Sequence, residues 1–195
     1  DFSDKEIGIH SPILIKSSCG SKLIFTRIVI VSSNVSISDL NLSGSVIIDS
    51  VDNVSLKNCT FESADPGSSG AIVINRGSVI EINNLLISRL SCPALFIETQ
   101  SWVNIKYCRF FNSTDTLIFA SNQSQLFIEQ CELYQTPSNG ITLTTDSFAD
   151  VKDSEIHHTQ NPAIQAIYSK LICTNSYVHD VDQNGINISH CNETR

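Results

Sequence analysis

The stretch Val103-Asn-Ile105-Lys-Tyr-Cys108-Arg-Phe110 returns 23 residues later as Leu126-Phe-Ile128-Glu-Gln-Cys131-Glu-Leu133. Both copies follow one pattern of eight positions: apolar, any, apolar, any, any, small or apolar, any, apolar. Alternation with period two, interrupted once by an extra residue, is typical of two short β-strands that meet at a bend. A recurring unit of this length predicts a repeat architecture, in which each unit buries its apolar face against its neighbours.

The same pattern occurs seven times. Its sixth position falls at residues 40, 59, 85, 108, 131, 154 and 176, so the successive steps are 19, 26, 23, 23, 23 and 22 residues. A further short strand opens each repeat, usually after Gly or Pro, at Val46–Ile48, Gly70–Ile74, Pro93–Ile97, Leu117–Phe119, Gly140–Leu143, Pro162–Ala166 and Gly185–Ile188. Turns rich in Ser, Asn, Asp and Gly separate these strands, as β-turn chemistry requires.

Three short strands per turn of about 23 residues predict an all-β, right-handed parallel β-helix of seven to eight coils. We expect a single domain over residues 1–195. Within it, residues 1–27 form an irregular N-terminal coil or cap, residues 28–190 form the regular coils, and the C-terminal end is truncated within a coil.

Composition narrows the functional classes. The chain is 41% hydrophobic, which suffices for one continuous core, and its net charge is −8. Because the few Lys and Arg residues are scattered, the basic patch of a nucleic-acid binder is missing, and we expect no nucleic-acid partner. No apolar run approaches 18 residues, so we expect no membrane span in this stretch. The absence of Met and the stop at Cys191–Arg195 indicate a piece of a longer precursor.

The seven cysteines show neither zinc-ligand nor Cys-x-x-Cys spacing. Cys59, Cys108 and Cys131 share one inward column, and Cys173 lies in the next column. Free cysteines that act as small core hydrophobes are the favoured interpretation. A disulfide between Cys108 and Cys131 stays open, because residues one coil apart lie within bridging distance although their side chains point the same way.

Sequons for N-glycosylation are more numerous than composition alone predicts. In the strand register every one of these asparagines falls on a turn or an outward position, where a glycan can be carried. The eight candidates are Asn34, Asn41, Asn53, Asn58, Asn112, Asn122, Asn187 and Asn192. They favour a secreted or cell-surface protein, although β-helix turns select Asn and Ser for conformational reasons as well.

The outward positions of the strand after each bend form two neighbouring columns, which we take as a candidate binding face. Side chains alternate between the two sides of a strand, so the residues between the inward ones must face solvent. The columns are Arg109, Glu132, Glu155 and Tyr177, and beside them Phe111, Tyr134, His157 and His179. Such a face predicts a protein or glycan partner, although like residues also stack on a solenoid because each coil offers the same environment.

Catalytic and metal sites are weaker interpretations. Glu132 and Glu155 lie one coil apart, which allows the ~5 Å separation of carboxyl groups in retaining glycosidases. Every pair in a column has this spacing, so the signal is unspecific. His157-His158 and His179-Asp180 lack a third ligand at metal-binding spacing. We therefore expect no catalytic residues, no metal and no cofactor.

Some repeats resemble the polymorphic outer-membrane protein repeat, a β-helix unit with Phe-x-x-Asn and Gly-Gly-Ala-Ile motifs. The similar stretches are Asn58-Cys-Thr-Phe61, then Ser69-Gly-Ala-Ile-Val-Ile74, and Tyr107-Cys-Arg-Phe-Phe-Asn112. The resemblance implies a β-helix fold and an adhesive role at a cell surface. Parallel β-helices also include polysaccharide lyases and hydrolases, but their motifs are not found here: Ser189-His-Cys191 has Cys where the hydrolase pattern has Gly.

These observations favour a non-enzymatic structural or adhesion protein with a glycosylated shaft and a linear binding face, capable of self-association along the β-helix. Two alternatives stay open. One is a carbohydrate-active β-helix enzyme, which requires a catalytic site. The other is an intracellular β-helix scaffold for protein interaction, which free cysteines would suit.

Overall fold

The computed structural model describes residues 2–17, 22–65 and 67–190. Strands are the only regular secondary structure within these ranges, and every strand pair is parallel. The chain winds into a parallel β-solenoid of about eight coils of roughly 23 residues, which confirms the predicted fold. In the described ranges there is accordingly no helix long and apolar enough to cross a membrane.

Each regular coil contributes one strand to each of three parallel sheets, which we name a, b and c in chain order. The b sheet contains the strands β2 (Ile13–Lys16), β4 (Val35–Ser38), β6 (Val54–Lys57), β9 (Val79–Asn83), β12 (Trp102–Lys106), β15 (Gln125–Glu129), β18 (Phe148–Lys152) and β21 (Lys170–Thr174).

The c sheet follows the bend of the eight-position pattern. Its strands are β7 (Thr60–Ser63), β10 (Leu86–Ser88), β13 (Arg109–Phe111), β16 (Glu132–Thr136), β19 (Glu155–Thr159) and β22 (Tyr177–Val181). The a sheet contains β8 (Ile72–Asn75), β11 (Leu95–Ile97), β14 (Ile118–Ala120), β17 (Ile141–Thr144), β20 (Ile164–Ile167) and β23 (Ile186–Ser189).

The first coils are irregular because their c and a strands run on without a corner. The long strands β1 (Phe2–Ile9), β3 (Lys22–Ile30) and β5 (Asn41–Asp49) pair with one another, and β5 then pairs with both β7 and β8. Gly44 bends β5 at a φ of +132°, where a Cβ atom would lie 2.1 Å from the Phe25 carbonyl oxygen. A missing corner accounts for the short 19-residue step, and the extra chain between β7 and β8 accounts for the 26-residue step.

Apolar columns run along the interior of the solenoid. Ile82, Ile105, Ile128 and Val151 face one another across successive b strands, and each is at most 1% exposed. Cys173 continues this column, as the sequence predicts. Burial of such branched side chains in every coil supplies the main stabilisation of the stack, at about 25 cal/mol per Å² of apolar surface.

The corner between the b and c strands is built on one left-handed residue per coil. These residues occupy the fifth position of the pattern and have φ values between 49° and 59°: Asp39, Asn58, Asn84, Tyr107, Gln130, Asp153 and Asn175. Asn and Asp tolerate this conformation better than other non-Gly residues. Their side chains also form a ladder, in which Asn84 Nδ2 donates to Asn58 Oδ1 over 2.9 Å and Asn58 Nδ2 to Asp39 Oδ1 over 3.0 Å.

The small residue after this corner has a specific hydrogen-bonding task. The backbone N–H of Cys108 donates to Cys131 Sγ over 3.4 Å, that of Cys131 to Ser154 Oγ over 3.1 Å, and that of Ser154 to Ser176 Oγ over 3.2 Å. The Ser154 hydroxyl donates in turn to the Lys152 carbonyl oxygen over 2.8 Å. Buried amides at a bend need such partners because an unpaired one costs about 1–3 kcal/mol.

The five described cysteines are free, which confirms the favoured interpretation for them: Cys59, Cys92, Cys108, Cys131 and Cys173. Cys19 and Cys191 lie outside the described residues. A hydrogen bond to Cys131, together with burial, raises the pKa of the Cys108 thiol well above its ordinary value. The column therefore holds neutral thiols that satisfy backbone amides.

A substitution in the interior column tests the register. Ile128→Ala should lower the free energy of unfolding by about 2–5 kcal/mol, because it removes buried methyl groups and leaves a cavity. Thr174→Ala, at an exposed outward position of β21, should change it by less than about 0.5 kcal/mol. Denaturant unfolding measures both. Equal losses would mean that the strands are placed one residue out of register.

Candidate functional site: the outward ladder of the c sheet

The structure brings together all eight residues predicted for the binding face. They are the outward positions of β13, β16, β19 and β22, and their Cα atoms align in two columns. The charged column contains Arg109, Glu132, Glu155 and Tyr177, and the ring column contains Phe111, Tyr134, His157 and His179. We call the two columns together the c ladder.

The four rings of the ring column form one continuous stack. Phe111 and Tyr134 have centroids 4.8 Å apart at an interplanar angle of 5°, Tyr134 and His157 are 5.0 Å apart at 2°, and His157 and His179 are 4.9 Å apart at 4°. The expectation of flat ring faces open to a ligand is therefore wrong. Each inner ring has both faces covered by its neighbours, and the stack offers ring edges to solvent.

Ion pairs link the charged column to the ring column. Arg109 Nε donates to Glu132 Oε2 over 2.7 Å, and its guanidinium lies 5.9 Å from the centroid of the Tyr134 ring. Glu132 Oε1 lies 3.4 Å from His157 Nε2, and Glu155 Oε1 lies 2.7 Å from His179 Nε2. Each carboxylate therefore holds a ring of the neighbouring coil in place, which fixes the geometry of the face.

A second group of charges lies at the corner after β19 and β22. His179 Nδ1 is 2.8 Å from Asp180 Oδ2, and the Nδ1 atoms of His157 and His158 are 2.6 Å apart. Hydrogen bonds to Glu155 and Asp180 raise the pKa of His179, and the same bonds lower the pKa of each carboxyl group. The imidazolium form of His179 is thus favoured between two carboxylates.

The direction of these pKa shifts fixes their effect on stability. The raised pKa of His179 stabilises the fold at pH values below its ordinary 6.5, and this contribution is lost as the pH rises through the raised value. The lowered pKa of Glu155 stabilises the fold above its ordinary 4.5 and is lost as the pH falls through the lowered value. Both contributions are present between about pH 4.5 and pH 6.5.

The chemistry of the c ladder is that of a surface. An open groove of about 570 Å³ runs beside the charged column and includes Glu132 and Glu155 among its lining residues. The pKa of Glu155 is lowered, mainly by its hydrogen bond to His179, whereas a glycosidase general acid needs a raised one. Across residues 2–17, 22–65 and 67–190 no three His, Cys, Asp or Glu side chains converge closely enough to hold a metal ion.

The sequon asparagines of the described ranges lie mostly at exposed corners. Five of them have a left-handed backbone and an exposed side chain: Asn34, Asn53, Asn58, Asn112 and Asn122. Asn41 opens β5 with an exposed side chain, and Asn187 lies half-buried in β23. Asn192 lies outside the described residues. These corners can carry glycans, and the same left-handed conformation independently favours Asn.

Sequence reasoning missed a second aromatic surface, on the b sheet. Trp102 stacks on Phe127 with centroids 4.7 Å apart, and Phe127 contacts Phe148 edge-on at 5.9 Å. The signal was present in the alternation of the b strands, but Trp102 and Phe148 share one outward column while Phe127 belongs to the next. Reading one column at a time separates these rings, whereas in space they are neighbours.

Comparison with known proteins places the fold in a family. The family model described as "Right handed beta helix region" matches residues 44–194, which is 151 of the 195 residues. No curated protein and no solved structure matches the chain.

Titration of His179 tests the charge network of the c ladder. Its imidazole should titrate above pH 6.5 because two carboxylates stabilise the charged form. Glu155→Gln should lower this pKa toward the ordinary value, while Glu81→Gln, on the b sheet, should leave it unchanged. NMR chemical shifts of the imidazole carbons measure the pKa. A wild-type value at or below 6.5 would contradict the network.

Proposed function

We propose, for a chain that belongs to the right-handed β-helix family, a non-enzymatic role as an extracellular or cell-surface protein. In this role it is part of a longer fibrous or multidomain protein, and its shaft presents the c ladder to a protein partner. The observation that carries the proposal is the continuous stack of four rings, braced by ion pairs, on one outward side of the solenoid.

The state of the rings favours a protein over a glycan as the partner of the c ladder. Sugars bind aromatic side chains through ring faces, and here the faces of Tyr134 and His157 are covered on both sides. What is accessible is a rigid row of ring edges beside partly exposed side chains, of which Tyr177 is 66% exposed. Aromatic and Arg side chains held in one conformation lose little entropy on binding and are typical of protein interfaces.

The charges of this face suggest the complement that it would select. Arg109 is paired with Glu132, whereas Glu155 and Asp180 share one histidine, so carboxylates predominate toward β22. With a net charge of −8 for the whole chain, the field of the protein favours a partner with a basic patch.

Two observations support a binding role over catalysis. The only carboxyl groups with a shifted pKa on the c ladder and its adjoining corner, Glu155 and Asp180, have lowered values, and both keep their charge near neutral pH. The groove beside Glu132 and Glu155 is open along the surface and does not enclose them. General acid catalysis works best when burial raises the pKa of a carboxyl group.

The exposed corner asparagines support export. Asn112 and Asn122 follow each other along the shaft at exposed left-handed corners, with backbone that no inward contact constrains at the side-chain amide. Glycans at such positions project away from the sheets and leave the outward columns accessible.

The double variant Tyr134→Ala, His157→Ala tests the proposed face. It removes the centre of the ring stack, and binding to a protein partner from the extracellular surroundings should weaken at least about tenfold, or about 1.4 kcal/mol. Phe119→Ala removes a comparable outward ring of the a sheet, which stacks on Phe96 at 5.0 Å, and should not weaken it. Surface plasmon resonance measures both affinities, and thermal unfolding verifies that both variants fold.

An enzymatic result would contradict this role. Release of reducing ends from pectin or alginate by the wild-type protein, abolished by Glu132→Gln or Glu155→Gln, would establish the carbohydrate-active alternative. Equal binding by the wild type and the double variant would remove the c ladder from the interface.

A further inference from the structure

A zigzag of apolar side chains runs along the outward side of the b sheet. Trp102, Phe127 and Phe148 lie on successive strands and alternate between two adjacent columns, and the exposed Ile172 follows on β21. The rings are tilted against one another by 25° and 61°, in contrast to the parallel rings of the c ladder. Trp102 is 45% exposed, so this surface leaves more aromatic area open than the ring stack does.

The zigzag lies between two shallow concavities that are aligned with the axis of the solenoid. The first, of about 330 Å³, includes Trp102, Asn104, Phe127 and Asp150 among its lining residues. The second, of about 700 Å³, is lined in part by Gln123, Gln125, Phe148 and Tyr168. Both volumes lie in the range of small-ligand sites, and both combine aromatic rings with a few polar groups, as such sites usually do.

The polar groups along this surface are amides and carboxylates. Asn104 and Gln125 are outward neighbours of the rings on the same strands. Asp150 Oδ1 is shielded from solvent and has no hydrogen-bond partner within the described part of the chain. Side-chain amides both donate and accept hydrogen bonds, which suits ligands with many hydroxyl groups.

The charges of the surface nearly cancel. Lys106, Lys152 and Lys170 are the cations, and Glu129, Asp146 and Asp150 the anions among the residues that line the two concavities. Glu129 lies 2.7 Å from the Lys106 ammonium and 3.9 Å from that of Lys152, so these charges are already paired. A polyanionic chain would find no unpaired row of cations here, and an uncharged ligand is favoured.

We propose that the outward side of the b sheet, from Trp102 to Tyr168, binds an extended, uncharged polysaccharide. The C–H faces of hexose rings pack on the exposed aromatic surface, and amide side chains such as Asn104 and Gln125 bind the hydroxyl groups. Successive coils are ~4.8 Å apart, a step close to the length of one hexose in an extended chain. This glycan surface is separate from the c ladder and does not depend on its role.

The chain offers an internal reporter for this surface, because Trp102 is its only tryptophan. Titration with cellohexaose, mannohexaose and laminarihexaose should give a saturable change in tryptophan emission with at least one of them. The double variant Phe127→Ala, Phe148→Ala keeps the reporter and should weaken that binding at least tenfold. Gln125→Ala, which truncates one amide and no ring, should weaken it to a smaller extent.

The matched control is Phe119→Ala, whose ring faces outward on the a sheet, and it should bind as the wild type does. Polygalacturonate, an anionic polymer, should give no saturable change. Circular dichroism and thermal unfolding establish that each variant is folded. The proposal is overturned if none of the three neutral hexasaccharides changes the emission, if the folded double variant binds as tightly as the wild type, or if polygalacturonate binds equally well.

Discussion

Stacking of successive coils at a constant register is the constraint on which the rest of this structure depends. Each side chain meets the equivalent side chain of the next coil at ~4.8 Å, so a choice made once is repeated along the axis. Inside, this gives columns such as Ile82, Ile105, Ile128 and Val151. At the corners it gives the Cys and Ser column that satisfies buried amides. Outside, it gives the stacked rings of the c ladder.

Much of this order could be predicted from the sequence because both periods are local. Alternation within a strand separates inward from outward residues, and the coil period places Tyr134 beside His157. The eight residues of the c ladder therefore align as expected. The early coils deviate where the period itself deviates, since the merged strand β5 removes a corner and Gly44 provides its bend.

What the sequence could not provide depends on side-chain torsion angles and on contacts between columns. Alignment of Phe111 and Tyr134 does not reveal that their faces cover each other, which moves the favoured partner from a glycan to a protein. The b-sheet zigzag was missed because Trp102 and Phe127 belong to different columns. The left-handed corners were also not predicted, and they give the asparagines at Asn58 and Asn112 a conformational reason that is independent of glycosylation.

The proposed role makes the solenoid a rigid shaft with different partners on different sides, displayed outside the cell. Glycopeptide mapping of the protein from its native source tests this most directly, with enzymatic deglycosylation in H₂¹⁸O to label the modified asparagines. The account predicts labelled aspartate at exposed corners, with Asn112 and Asn122 the clearest positions. Unmodified asparagine at every sequon, together with seven cysteines that alkylate as free thiols, would contradict the account and favour an intracellular scaffold.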